Sequence, residues 1–208
     1  MQEVLSGLKH TFYIFSHPFD GFWIMKSEKK GNTKSATVIL ALLIVTTAIR
    51  FLGSGYLFTS SAVEGFSAWT LMIIVLALVA VYCVANWALT TLMNGNGSMK
   101  DIYISLMYAV TPIVLVNIPL TLLTHVLTLE EGAFLTLINA LSIIWSLFLL
   151  LVGNMSIHEY TMMQSIATVI LSALGIIGIA VLLLLVFNLM QEVWLWALSI
   201  FNELIMRF

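Results

Sequence analysis

Few side chains in this sequence are of types that do chemistry, and their spacing argues against most of it. His10, His17, His125 and His158 are scattered, and none has a second histidine or cysteine at ligand spacing on a shared helix face, so no metal site is expected. The single cysteine, Cys83, rules out an intrachain disulfide and a cysteine-rich centre. Asp20 and Asp101 are the only aspartates and lie outside the apolar runs, which excludes an intramembrane aspartyl dyad. No Gly-x-Ser-x-Gly elbow and no phosphate-cradling Walker pattern occurs. His158 and Glu159 are adjacent and would diverge by about 100° on a helix, poorly placed as a base and its orienter. Neither catalytic residues nor a cofactor is expected.

What remains is polarity inside apolar runs. Arg50 leads, because an intramembrane charge is costly and by default a functional candidate. It can snorkel, pair with Glu64, Glu130 or Glu131, or line a solute or ion pathway. Asn86, Asn117 and Asn139 suit interhelical hydrogen bonds. Pro112 and Pro119 each remove a backbone donor and invite a kink, which can line a cavity or be satisfied by neighbouring helices. Ser172, Gly175 and Gly178 make a small-residue edge suited to packing.

The elements that position these groups follow from composition. The chain has 208 residues, 61% hydrophobic and 9% charged, against about 25% charged for a soluble domain. Mean hydropathy is +1.08. This is a membrane protein, with too little left over for a separate soluble enzyme domain. Its net charge of −2 and scattered basic residues exclude nucleic-acid binding. Apolar runs at about 35–57, 69–93, 103–128, 134–153 and 166–190 are each long enough to cross the roughly 30 Å of hydrocarbon as a helix. The fold class is therefore an all-α polytopic bundle of five transmembrane helices, with residues 34–190 as the bundle of a single membrane domain covering 1–208.

Charge sets the expected orientation. Lys9, Lys26, Lys29, Lys30, Lys34 and Lys100 fall on one side, and the opposite segments hold Glu64, Glu130 and Glu131 without lysine or arginine. The N-terminus is expected in the cytoplasm and the C-terminus outside, in a plasma membrane. No cleaved signal peptide or lipidation is expected. Residues 1–33 read as a cytoplasmic amphipathic segment, with Val4, Leu8, Phe12 and Phe15 at helical spacing, Pro18 limiting the helix, and aromatics beside lysines. Residues 191–208 read as an interfacial amphipathic helix on the outer side, or as a stem extending the last span. Both flanks suit anchoring in the bilayer or docking of a partner.

A constant offset lays residues 87–101 over 145–159, matching Trp87 with Trp145, Gly95 with Gly153, Asn96 with Asn154 and Ser98 with Ser156. Two hairpins of one orientation would make a parallel repeat about the membrane normal. Ser98 with Asp101 and Ser156 with Glu159 have the spacing of a helix-capping box. Gly31-Asn32 precedes the first span, so all three outward-running helices are expected to begin after Gly-Asn. The group Gly95, Asn96, Ser98, Asp101, Gly153, Asn154, Ser156, His158 and Glu159 thus reads as capped cytoplasmic turns or as a partner surface.

The segments His17-Pro-Phe-Asp-Gly-Phe-Trp23, Gly95-Asn-Gly-Ser-Met-Lys-Asp-Ile102 leading to Tyr108-Ala-Val-Thr-Pro112, and Gly153-Asn-Met-Ser-Ile-His-Glu-Tyr160 give the chain a resemblance. It resembles the bacterial branch of the Yip-one domain proteins, a family named for eukaryotic members that bind Ypt/Rab GTPases. The resemblance covers essentially the whole chain and implies five spans with a cytoplasmic N-terminus. The acidic Asp-Leu-Tyr-Gly-Pro motif of eukaryotic relatives has no match here. Some bacterial members look like accessories to ABC-type exporters, and the resemblance implies no catalytic residues. The leading expectation is a non-enzymatic adaptor or organiser of another membrane complex, through a membrane-protein partner or a homo-oligomer. The alternative is a small solute or ion transporter or channel built on the two-hairpin repeat.

Overall fold

In hydrocarbon every backbone N–H and C=O must find its partner within the chain, so apolar segments of this length cross as helices. The computed structural model describes residues 2–28, 31–58 and 67–206, so Lys29, Lys30, Glu64 and Arg207 lie outside the described residues. The helices are α1 (Gln2–Ser16), α2 (Pro18–Ser27), α3 (Thr33–Leu52), α4 (Ala68–Leu92), α5 (Met99–Ala109), α6 (Thr111–Leu123), α7 (Gly132–His158) and α8 (Met162–Met206), with a 3-10 turn at Tyr56–Phe58. Five segments are long and apolar enough to span a membrane, with α5 and α6 together making the third.

That third span is the centre of the bundle. Ile102, Ile104, Met107, Tyr108, Ala109, Val114 and Leu120 are all buried. The break between α5 and α6 falls at Val110, two residues before Pro112, which occupies the first turn of α6 where its missing N–H costs least. Around this axis, α3 packs on α5 and α6, α7 packs on the same pair from another side, and α4 lies between α5 and α8.

The N-terminal segment breaks at His17, where Pro18 starts α2. It does more than lie at an interface, because Ile14, Phe22 and Met25 are part of the bundle core. The outward faces of α1 and α2 still carry Leu5, Phe12, Phe19 and Trp23 exposed. Close approach depends on Gly7, where a Cβ would stand 2.1 Å from Ser35 Oγ at the start of α3. Tyr108 is fully buried and its hydroxyl accepts from the Asn32 N–H at 3.4 Å, just ahead of α3.

The C-terminal segment forms no separate helix. It continues α8 without a break, so the stem is what the chain adopts. Only the first part of α8 is packed, through Ser165, Thr168 and Ser172, and residues 181–203 are exposed throughout.

Candidate functional site

Three polar groupings are built on this frame. The first joins α2, the α4–α5 loop and the end of α7. Lys26 donates to Glu159 Oε1 at 3.0 Å and to the Ile157 carbonyl, while Glu159 Oε2 accepts from Asn96 Nδ2 at 3.1 Å. The hydrogen bond and charge of Lys26 and the Asn96 amide hold the Glu159 carboxyl below its ordinary range. Glu159 caps α7 in the left-handed region, φ 59°, a conformation in which a side chain is uncommon. His158 is buried, accepts the Gly97 N–H on Nδ1 at 3.2 Å, and stacks on Tyr160 with centroids 5.2 Å apart. The Tyr160 hydroxyl donates to the carbonyls of Thr90 and Met93, each at 3.3 Å, and burial pushes its pKa up. A Cβ on Gly95 would stand 2.5 Å from His158 Nδ1, and one on Gly97 2.3 Å from Ile157, so both glycines serve close approach.

The second grouping is intramembrane. Asn86 on α4 donates to Asn154 Oδ1 at 3.4 Å and to Ser172 Oγ at 3.2 Å. Asn154 in turn donates to Thr168 Oγ1 at 2.7 Å and to Ser165 Oγ at 3.4 Å. This fastens α4, α7 and the start of α8 to one another. A Cβ built on Gly175 would meet Leu89 and Ala85, whereas one built on Gly178 would meet no other helix within 4 Å among the described residues, so the small-residue edge packs at the Gly175 end.

The third grouping lies at the opposite ends of α3 and α6. Arg50 Nη1 donates to Asn117 Oδ1 at 3.0 Å and to Asn139 Oδ1 at 2.7 Å, and Asn117 Nδ2 reaches Thr46 Oγ1 at 3.4 Å. They floor a cavity of about 590 Å³, open to the surroundings, whose walls include Phe51, Phe58 and Leu135. Pro119 is inside α6, one residue before the cavity-lining Leu120.

The sequence-predicted residues are therefore redistributed. Ser98 and Asp101 form both halves of a capping box at the start of α5. Gly153, Asn154 and Ser156 differ from expectation, because all three lie within α7 rather than in a turn. Ser156 bonds the Val152 carbonyl one turn back, and the Ser156–Glu159 cap does not form. The real turn is at 159–161, where Thr161 and Gln164 exchange bonds to open α8. The reason is packing: Gly153 lets α7 cross α5 and α2, and Asn154 is needed on the α8 side. Hence α8 does not begin after Gly-Asn, and the two matched segments have different structures. Of the options open to Arg50, the one seen among the described residues is a pair of bonds to Asn117 and Asn139, while Glu131 accepts from Thr128 at the entry to α7. Glu64 lies outside the described residues.

Nothing in the sequence brings Lys26, Tyr160, Thr168 and Ser172 into these groupings; the T-x-x-Q spacing of Thr161 and Gln164 is a signal that could have placed the start of α8. Among the described residues no group of three or more His, Cys, Asp or Glu could hold a metal ion.

Comparison with protein families gives a match between residues 12–185 and the family described as the Yip1 domain. The matched region contains all three groupings. No curated protein and no solved structure matches the chain.

Proposed function

This chain belongs to the Yip1 domain family, and from that premise we propose that it is a non-enzymatic adaptor that organises another membrane complex, using α8 as its docking element. The supporting observation is the length and exposure of that helix. Its 45 residues extend roughly 67 Å at 1.5 Å per residue, about twice the hydrocarbon thickness. If residues 166–190 cross the bilayer, a further apolar stretch with Trp194, Leu195, Trp196, Leu198 and Phe201 stands beyond it, exposed. Contiguous apolar surface of that kind in a soluble phase marks an interaction site.

The proposed topology is a bacterial plasma-membrane protein with the N-terminus cytoplasmic and α8 leading outward, a reading supported by Lys9, Lys26, Lys34 and Lys100 at one end. The partner class that the resemblance implies is an ABC-type transporter. The turn residues are a weaker docking candidate, since Gly153, Asn154 and His158 are consumed by internal packing. Less supports the transporter alternative: the two matched turns are out of register, with Gly153 and Asn154 inside α7, and among the described residues no hydrogen bond joins the Arg50 grouping to the Asn86 grouping.

The test is affinity purification from native membranes in a mild detergent, comparing the full chain with a Trp194→Ser/Leu198→Ser variant. A stoichiometric membrane complex that is lost in the variant, and whose abundance or activity falls when the chain is deleted, supports the adaptor. Recovery of the chain alone, or with complexes whose abundance and activity are indifferent to its deletion, overturns it.

A further inference from the structure

We propose that the cavity floored by Arg50, Asn117 and Asn139 is a receptor for a phosphate oxyanion, carried as the headgroup of a membrane amphiphile. A guanidinium at membrane depth normally has an anionic partner, because desolvating a cation without one is expensive. Among the described residues Arg50 has none: its side chain bonds only the two neutral carboxamide oxygens of Asn117 and Asn139. Both bonds use Nη1, which leaves Nε and Nη2 of the five-donor fork for a ligand. That edge is the one with which arginine grips phosphate through paired bonds.

The asparagines fix the direction of the fork. Asn117 is itself held by its bond to Thr46, and both Asn117 and Thr46 are buried. The guanidinium is therefore aimed before a ligand arrives, which lowers the ordering cost of binding.

The cavity's shape supplies the second half. A volume of about 590 Å³ far exceeds a phosphate, and beyond Arg50 and the two asparagines its walls combine hydroxyl side chains such as Thr47 and Thr121 with an apolar share from Phe51, Phe58, Leu135 and Ile143. An oxyanion at the floor and an acyl chain along those side chains satisfies both surfaces. The site lies at the far end of α3 from Ser35 and α1, so on the proposed topology it faces the outer leaflet. It requires nothing of α8 and stands whether or not the adaptor reading does.

The experiment uses the purified full chain in mild detergent, with thermal unfolding followed during titration with phosphatidylglycerol, phosphatidylcholine or inorganic phosphate. Saturable stabilisation by phosphatidylglycerol is expected, with no comparable effect of phosphatidylcholine. Arg50→Gln should weaken that binding by roughly tenfold or more, the size of a lost charge-assisted contact. Thr136→Trp narrows the cavity without touching the charge and should also weaken lipid binding, so a poorly folded arginine variant leaves the test intact. Phosphatidylglycerol binding unchanged in both variants, or matched by phosphatidylcholine, overturns the proposal. Equal stabilisation by inorganic phosphate, surviving in Thr136→Trp, overturns the lipid source.

Discussion

The ring of Phe22 lies against the backbone of Gly153: a Cβ built on Gly153 would stand 3.0 Å from Phe22 Cε1 and 2.2 Å from Ser105 Oγ. Helices α2, α5 and α7 meet at this point, which ties the N-terminal segment to the bundle axis. Gly153→Ala should therefore lower stability by about 1–3 kcal/mol through overpacking. Gly178→Ala, whose added Cβ would meet nothing within 4 Å among the described residues, should be neutral or stabilising by up to about 1 kcal/mol, since alanine is the better helix former. Unfolding in detergent measures both, and a Gly153→Ala chain as stable as the parent would remove this contact from the account.

The same glycine shows what sequence can carry. Hydropathy alone places five spans, because each apolar run must be long enough to cross and must pair its own backbone. Pro18 and Pro112 mark helix starts for a local reason, the lost N–H. Gly153-Asn154 misleads because Gly-Asn has two uses, a turn and a close crossing with a buried amide, and only the neighbours Phe22, Ser105 and Thr168 decide between them. Arg50, Asn117 and Asn139 are each legible as intramembrane polar groups. Their meeting depends on the register of α3, α6 and α7, which no single helix encodes.

Within the second grouping the bonds are unequal. Asn154 reaches Thr168 at 2.7 Å but receives from Asn86 at 3.4 Å. Asn154→Ala should cost about 1–2 kcal/mol, given an average near 0.6 and a maximum near 1.7 for interhelical bonds. In double-mutant cycles the Asn154/Thr168 coupling should exceed the Asn86/Asn154 coupling. Equal couplings would mean that the two bonds are equivalent in the membrane.

The Lys26–Glu159 pair predicts a pH dependence. The folded-state pKa of Glu159 is depressed, chiefly by its hydrogen bond from Lys26, so its contribution is present above the ordinary carboxylate pKa and is lost as pH falls through the folded value. Melting temperature measured from neutral pH downward should fall across that acid window, and the fall should be shallower in Glu159→Gln. Because the carboxylate is exposed, added salt should flatten the same slope. A parent slope identical to that of Glu159→Gln would show that the pair is inert.

Helix α8 should separate stability from association. Its attachment runs through Ser165, Thr168 and Ser172, all buried, whereas Leu183, Phe187 and Trp194 are exposed. Alanine at any of these three exposed positions should change unfolding by less than about 0.5 kcal/mol, because each is more than half exposed among the described residues. Thr168→Leu should be clearly destabilising, since it removes the hydroxyl that Asn154 bonds and adds volume where none is free. Unfolding of each variant in detergent, set beside the yield of any co-purifying membrane complex, gives the two readouts. An adaptor predicts exposed-site variants that are fully stable and defective in recovery. A loss of stability at Trp194 would mean that the distal half of α8 packs on its own chain.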